Sequence, residues 1–128
     1  MKLLLDTHAL IWWLEGSEAL SPRARDAISD EANSIAVSAA SAMEIATKFR
    51  LGKLSGAALL AQDFEAIVAA QGFTELAISV HHARLAGGMN IAHKDPFDRF
   101  LMAQAQAESM TLVSNEALFD SFAIHRLW

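Results

Sequence analysis

The sequence predicts an α/β fold in which a central, mostly parallel sheet carries helices on both faces. Two observations support this prediction. Short apolar runs that are typical of buried strands recur along the chain, and segments with helical spacing of apolar residues separate them. Because neighbouring parallel strands need a crossover connection, the alternation of strand and helix favours a parallel sheet.

The first half of the chain is divided by apolar runs and helix start signals. Lys2–Asp6 is a compact apolar run that ends in a polar residue, which is typical of a strand covered on both faces. Ser21 followed by Pro22 is a helix start, with serine as the N-cap and proline in the first turn. The predicted order is a strand at Lys2–Asp6, helices at Ala9–Leu14 and Arg23–Glu31, a strand at Ser34–Val37 and a helix from Ser38 to Gly52.

The second half is divided mainly by glycines, which commonly end helices. Gly72 closes one predicted helix, and Gly87 with Gly88 closes another. The predicted order is a helix at Ala57–Ala70, a strand at Phe73–Ile78, helices at Val80–Ala86 and Phe97–Glu108, and strands at Thr111–Val113 and Phe122–Leu127.

Composition limits what the protein can be. The chain has 128 residues, 53% of them hydrophobic and 20% charged, so we expect one folded domain spanning residues 1–128. Cysteine is absent, which excludes disulfides, thiolate zinc sites and cysteine nucleophiles. No apolar run approaches the roughly 20 residues that cross a bilayer, and no export signal is visible, so we expect a soluble, cytoplasmic protein.

The formal net charge of −5 argues against a broad basic groove for nucleic acid. A polyanionic substrate would therefore need a bound cation or clustered basic side chains. The sequence contains two small clusters of positive or titratable groups. They are Lys48, Arg50 and Lys53 after Glu44, and His93, Lys94 and Arg99 around Asp98.

Four acids from separate segments are predicted at one edge of the sheet: Asp6, Glu44, Asp98 and Glu116. Functional residues collect beyond the carboxyl ends of parallel strands, where these acids are expected. Carboxylates that are brought together repel one another and raise each other's pKa, so such a cluster normally holds a metal ion. Oxygen ligands select Mg²⁺ or Mn²⁺.

Each acid also has a structural alternative. Glu44 stands four residues before Lys48, the favourable order for an ion pair on a helix. Asp95 before a proline is a good N-cap, and Glu116 fits an ordinary first-turn acid. Asp98 is harder to explain structurally, because an acid on an inward helix face needs a partner. It shares that face with Leu101, Met102 and Ala105.

Three stretches resemble successive motifs of PIN-domain proteins, most closely the VapC-type toxins of bacterial toxin–antitoxin pairs. They are Asp6-Thr7-His8-Ala9-Leu10-Ile11-Trp12; Ser38-Ala39-Ala40-Ser41 through Glu44-Ile45-Ala46 to Leu51-Gly52-Lys53-Leu54; and His93-Lys94-Asp95-Pro96-Phe97-Asp98-Arg99 through Ala103-Gln104-Ala105. The resemblance spans nearly the whole chain, down to the terminal Leu127-Trp128.

The resemblance implies a PIN-like three-layer fold and a Mg²⁺-dependent endoribonuclease, with Mn²⁺ as an alternative metal. The family's acids map onto Asp6, Glu44 and Asp98, and we expect Asp6 and Asp98 to face the metal. Glu44 is then expected to position or deprotonate the attacking water. The family's fourth acid is typically Asp, whereas this chain has Glu116, so the neighbouring Asn115 is an alternative. Further supporting candidates are Thr7, Ser38, Ser114 and Asp95.

Partners follow from the same resemblance, which implies an RNA substrate, a cognate VapB-like antitoxin and a homodimer. The apolar fraction of 53% is also above the usual range of roughly 45–50%, which favours burial between subunits. Trp12 and Trp13 point about 100° apart on a short helix, so we expect at least one of them to be partly exposed, as interface anchors are.

Two other functions stay open at this stage. The first is a catalytically inactive PIN-like binding module, which the departure at Glu116 leaves possible. The second is a receiver-like phospho-acceptor domain, although paired acids after the first strand and a lysine after the last strand are missing. Ser38, Thr7 and Ser114 have no evident histidine–acid partner, which argues against a serine hydrolase triad.

Overall fold

A computed structural model describes residues 1–53 and 57–128, so Leu54 of the second motif lies outside the described residues. Five strands form one sheet, and every pairing is parallel. The strand order is β3-β2-β1-β4-β5. The strands are β1 (Lys2–Leu5), β2 (Ser34–Ser38), β3 (Thr74–Leu76), β4 (Thr111–Val113) and β5 (His125–Leu127).

Seven α-helices and one 3₁₀-helix are present in the described residues, and they cover both faces of the sheet. The α-helices are α1 (Thr7–Glu15), α2 (Pro22–Ser29), α3 (Ala39–Arg50), α4 (Ala58–Gln62), α5 (Phe64–Ala70), α6 (Val80–Gly88) and α7 (Pro96–Ala107). The 3₁₀-helix spans Ala117–Ser121. The predicted α/β class and the three-layer arrangement are therefore confirmed.

The sheet separates two hydrophobic cores because side chains alternate along each strand. Leu3 and Leu5 of β1 lie in the core that α1, α2, α3 and α5 cover. Leu4 lies in the opposite core, against α7 and the 3₁₀-helix. All three leucines are fully buried, and each stabilises the fold by about 1.5–3 kcal/mol relative to an exposed side chain. The central strand is thus anchored on both faces.

Three predicted elements differ from the structure, and one of them, the strand predicted at Phe73–Ile78, is only Thr74–Leu76. The helix predicted at Ala57–Ala70 is two helices, because Asp63 leaves the helical region at φ −126° and ψ 40°. Leu60 and Phe64, on either side of the break, both lie in the same core. The strand predicted at Phe122–Leu127 is only His125–Leu127, since Phe122 instead packs beside the 3₁₀-helix that precedes it.

The strand order determines where a site is expected. Connections leave β1 toward β2 on one side, and β4 lies on the other, so the sheet has a topological switch point between β1 and β4. Ligands of open parallel sheets bind beyond the carboxyl ends of the strands at such a point. The receiver-like alternative is excluded, because a receiver has the order 2-1-3-4-5.

The tryptophan pair on α1 is half-buried at both positions, which confirms the expected partial exposure. Trp12 packs beside His8 and Trp128, and Trp13 packs beside Phe73. In the parts of the chain that the structure describes, no helix combines the length and the apolar character needed to cross a membrane.

Candidate active site

Asp6 follows β1 directly and caps α1. Its Oδ1 accepts a hydrogen bond from the Ala9 amide at 2.7 Å, and its own amide donates to the Val113 carbonyl of β4 at 3.0 Å. These bonds place the carboxyl at the switch point, with only 6% of the residue exposed. An aspartate is favoured here as an N-cap, yet a cap does not require such deep burial.

Burial is the largest influence on the Asp6 carboxyl, and it raises the pKa. A hydrogen bond from Ser114, the Ala9 amide and the nearby His8 lower the pKa, whereas the negative charge of Asp98 raises it further. The net shift is upward. Asp6 is therefore a desolvated carboxyl that senses a second acid from another helix.

Asp98 lies in the first turn of α7, and its position depends on the local helix start. Asp95 caps this helix as predicted, accepting hydrogen bonds from the amides of Phe97 at 2.9 Å and Asp98 at 3.2 Å. Pro96 occupies the first turn. The cap fixes the first turn of α7, and Asp98 in that turn is half-buried.

The Asp98 carboxyl has a raised pKa, again mainly because of burial. A 2.7 Å contact between its Oδ2 and His93 Nε2 lowers the pKa, and the charges of Asp95 and Glu44 raise it. Asp98 is thus close enough to affect Asp6, and Glu44 is close enough to affect Asp98, although the three come from the N-cap of α1, from α3 and from α7. We call these three residues the acid cluster.

Glu44 is held by contacts to two helices. Its Oε1 accepts a hydrogen bond from the Thr7 hydroxyl of α1 at 2.6 Å, and its Oε2 forms an ion pair with Lys48 at 2.7 Å. The Thr7 hydroxyl is also 3.0 Å from the Ser41 hydroxyl. The predicted ion pair between Glu44 and Lys48 is therefore present. The same Glu44 carboxylate is also close enough to Asp98 to raise its pKa.

The segment after β4 contributes differently from what the motif suggested. Glu116 and Asn115 are both exposed, and Glu116 precedes the 3₁₀-helix. The Glu116 amide donates to Ser114 Oγ at 3.0 Å. Ser114 is fully buried and helps to hold Asp6. A role for Glu116 or Asn115 in the site stays a prediction.

Whether this site suits a metal ion depends on Asp6 and Asp98. Within residues 1–53 and 57–128, no three histidine or carboxylate side chains are arranged so that together they could hold a metal. Both carboxyls have a pKa raised mainly by burial, and the charge of Asp98 raises that of Asp6 further, which nevertheless favours a cation between them. Mg²⁺ keeps several waters and commonly takes only one or two protein carboxylates, so the pair fits it.

Arg99 does not serve as the substrate-facing cation that its position beside Asp98 suggested. Its guanidinium donates to main-chain carbonyls of the segment before α7. The closest acceptors are Ala86 at 2.8 Å, His93 at 2.8 Å and Met89 at 2.7 Å. Arg99 therefore holds the segment that brings His93 to Asp98, a role that no local sequence signal indicates.

Solved structures share this fold. VapBC2 from Rickettsia felis bound to a promoter DNA fragment matches with a TM-score of 0.66 and 16% identity, over 99% of this chain and 98% of that one. DNA-bound VapBC from Salmonella typhimurium matches with a TM-score of 0.66 and 17% identity, over 99% of this chain and 97% of that one. A toxin–antitoxin complex from Klebsiella pneumoniae matches with a TM-score of 0.63 and 17% identity, over 98% of this chain and 96% of that one.

Sequence comparison gives a family. No curated protein sequence matches the chain significantly. The family model described as PIN domain matches residues 3–124, which include most of β1, all of α7 and every member of the acid cluster. Because the match covers nearly the whole chain, this protein belongs to the PIN-domain family.

Proposed function

We propose that this protein is a metal-dependent endoribonuclease that acts as the toxin of a VapBC-type toxin–antitoxin pair. The observation that carries the proposal is the desolvated pair of Asp6 and Asp98 at the switch point of the sheet. PIN domains are generally nucleases, and the structural neighbours come from toxin–antitoxin complexes.

In the proposed reaction the residues have distinct tasks. Asp6 and Asp98 would hold Mg²⁺ or Mn²⁺, which would supply charge stabilisation and an activated water for phosphodiester hydrolysis. Ser114 and the Ala9 amide hold the Asp6 carboxyl in place. Glu44 is kept in orientation by Thr7 and Lys48, and it accepts a proton from the attacking water.

Positive charge for the RNA backbone comes from groups other than Arg99. Arg50 and Lys53 are exposed at the end of α3, and Lys94 is exposed in the segment before α7. Lys48 is partly neutralised by Glu44. We infer that these few cations, together with the bound metal, offset the net charge of −5 where RNA approaches.

A cleavage assay tests the proposal. The purified full chain is incubated with a mixture of single-stranded RNAs in Mg²⁺, in Mn²⁺ and in EDTA, beside an equivalent DNA mixture. We expect RNA cleavage with either metal and none in EDTA. Asp98→Asn should abolish cleavage, and Asp26→Asn, which changes an exposed aspartate on α2, should not. Absence of cleavage with both metals would refute the nuclease proposal.

The remaining proposals concern the state of the protein in the cell. We propose a single domain over residues 1–128, a cytoplasmic location, a homodimer and a VapB-like antitoxin that covers the acid edge. The half-buried Trp12 is a candidate anchor for such an interface. Light scattering at micromolar concentration tests the dimer, and a mass equal to one chain would contradict it.

A catalytically inactive PIN-like binding module is the second candidate. It is favoured by the Lys48–Glu44 ion pair, by the His93 contact to Asp98 and by the lack of a three-ligand arrangement in the described residues. Such a module would bind RNA or a partner protein equally well in EDTA and in Mg²⁺, without cleavage. The assay above separates the two candidates.

A further inference from the structure

A second polar cluster lies inside the protein, close to the acid cluster. Gln104 of α7 is completely buried, as are its helix neighbours Leu101, Met102 and Ala105. A buried amide is costly unless each polar atom finds a partner. Gln104 finds partners on three other segments, and we call Gln104, Ser38, His82 and Glu108 the amide network.

The partners of Gln104 determine which way its amide points. Its Oε1 accepts a hydrogen bond from the Ser38 hydroxyl at 2.5 Å, and its Nε2 donates to the Ala77 carbonyl at 3.3 Å. A flipped amide would place two acceptors, the Gln104 oxygen and the Ala77 carbonyl, against each other. The bond to Ser38 therefore has a defined direction.

His82 fixes the other end of the amide network. Its Nδ1 accepts from the Ser79 amide at 3.0 Å and lies 3.5 Å from Gln104 Nε2. Nδ1 is therefore the unprotonated nitrogen, and Nε2 donates to Glu108 at 2.9 Å. Ser38 thus donates to Gln104, Gln104 lies within reach of His82, and His82 donates to the partly exposed Glu108 carboxylate. Because all donors point the same way along this chain, each hydrogen bond orients the next.

The amide network joins the two helices that carry Glu44 and Asp98. Ser38 is the N-cap of α3, where its Oγ also accepts from the Ala40 amide, and it stands six residues before Glu44. Gln104 stands six residues after Asp98 on α7. Six helical residues span only about 9 Å, so the Ser38–Gln104 bond sets α3 against α7 within two turns of both acids.

We propose that Gln104 is a positioning residue of the active site, which holds α3 and α7 so that Glu44 and Asp98 keep a productive separation. This inference rests on the proposed nuclease function. Gln104 touches neither the acids nor the substrate-facing edge, and it acts through Ser38 and the two helices. A displacement of about 1 Å between reacting groups costs about a hundredfold in rate.

The test compares Gln104→Met with Gln106→Met in the full chain. The first variant keeps the volume and removes the amide, and the second changes an exposed glutamine two residues further along the same helix. We measure kcat and KM for RNA cleavage, the metal-free melting temperature and the rise in melting temperature on adding Mg²⁺. Gln104→Met should lower kcat by about a hundredfold, leave KM unchanged and shrink the Mg²⁺-induced rise. Gln106→Met should match wild type.

A purely structural role predicts a different pattern. Gln104→Met would then lower the metal-free melting temperature but keep kcat and the Mg²⁺-induced rise, and that result overturns the proposal. If Gln104→Met does not fold, Ser38→Ala breaks the same bond from α3 and must show the same loss of kcat. In a folded double variant the losses should not add, because both changes remove one bond.

Failure of the nuclease proposal is distinguishable from failure of this one. If the wild-type chain cleaves no RNA, the proposed function fails, and the Mg²⁺-induced rise in the two methionine variants still decides the role of Gln104. An equal rise in wild type and in Gln104→Met refutes the positioning role, as does the absence of any rise in wild type.

Discussion

The acid cluster and the amide network both involve α3 and α7, six residues apart along each helix, but they differ in how well their groups are satisfied. In the amide network each buried polar atom has a partner, and the described residues contain no buried side-chain polar atom without one. In the acid cluster, burial and neighbouring negative charges raise the pKa of Asp6 and Asp98. The polar groups of the amide network are therefore satisfied by hydrogen bonds, whereas the ionised carboxylates of Asp6 and Asp98 are destabilised by their surroundings.

This difference separates residues that support the fold from residues that act in the site. A satisfied network specifies one packing of its helices. Desolvated acids that repel each other weaken the metal-free fold, and perturbed carboxyls in a cleft are candidates for function. We therefore expect substitutions in the acid cluster to affect activity far more than stability, and substitutions at the outer end of the amide network to do the opposite.

The largest effect is expected at the most buried acid. Asp6→Asn keeps an almost equivalent N-cap but removes one of two proposed metal ligands. RNA cleavage should fall at least about a hundredfold, the cost of losing an electrostatic contribution to the transition state. The metal-free melting temperature should stay the same or rise. Cleavage assays and thermal melts check this, and a large loss of stability with normal cleavage would reverse the comparison.

Glu44 gives the next effect. Glu44→Gln can still accept a hydrogen bond from Thr7 but cannot accept a proton from water, so kcat should fall by about 10²–10⁴ with little change in KM. Lys48→Met is the matched control, because it removes the same ion pair and leaves the carboxylate. Steady-state kinetics of both variants decide whether Glu44 acts in the reaction or only pairs with Lys48. Equal activity in the two variants would support the pairing role alone.

His82 tests the opposite region. His82→Leu removes the buried imidazole and leaves the Ser79 amide without its partner, which should destabilise the protein by about 1–3 kcal/mol. His81→Leu changes the exposed neighbour and should stay within about 0.5 kcal/mol of wild type. Denaturant unfolding measures both. Cleavage by folded His82→Leu should remain close to wild type, and a loss as large as that of Asp6→Asn would contradict the comparison.

The smallest effect is the dependence of stability on pH. Asp6 and Asp98 have a pKa of 3.8 in the unfolded chain and a higher one in the fold, so between these values the folded state binds more protons. The free energy of unfolding therefore increases as pH falls through the folded pKa, and this contribution is complete only below the unfolded value of 3.8. Asp98→Asn should reduce that increase in metal-free melts. An identical dependence of melting temperature on pH in both proteins would mean that folding does not raise the pKa of Asp98.

Much of the fold was predictable because it follows from local patterns. The leucines of β1, the cap and proline of α2 and the cap at Asp95 are short-range signals, and each marks an element that the structure contains. The break at Asp63 was not predictable, because no glycine or proline marks it and Leu60, Phe64 and Val68 keep the four-residue spacing of one continuous helix.

The site was predictable only in part, for the same reason. Strand ends and motif resemblance selected Asp6, Glu44 and Asp98, because parallel strands bring their carboxyl ends to one edge. The other contacts join residues that are further apart in the chain. His93 contacts Asp98 across 5 residues, Arg99 contacts Met89 across 10, and Gln104 contacts Ser38 across 66. The motif resemblance selected Ser38 of the amide network, and Ser79 before His82 has the spacing of a capping box, a local signal for the other end of that network.

The central claim is that Asp98 belongs to a strained acid pair that holds a metal ion, and thermal melts of wild type and Asp98→Asn with and without Mg²⁺ test it most directly. Removing the charge should relieve repulsion, so metal-free Asp98→Asn should melt at the same temperature as wild type or higher. The rise that Mg²⁺ produces should shrink, because ligand stabilisation scales as RT ln(1 + [L]/Kd). An unchanged Mg²⁺-induced rise together with full RNA cleavage would contradict the account.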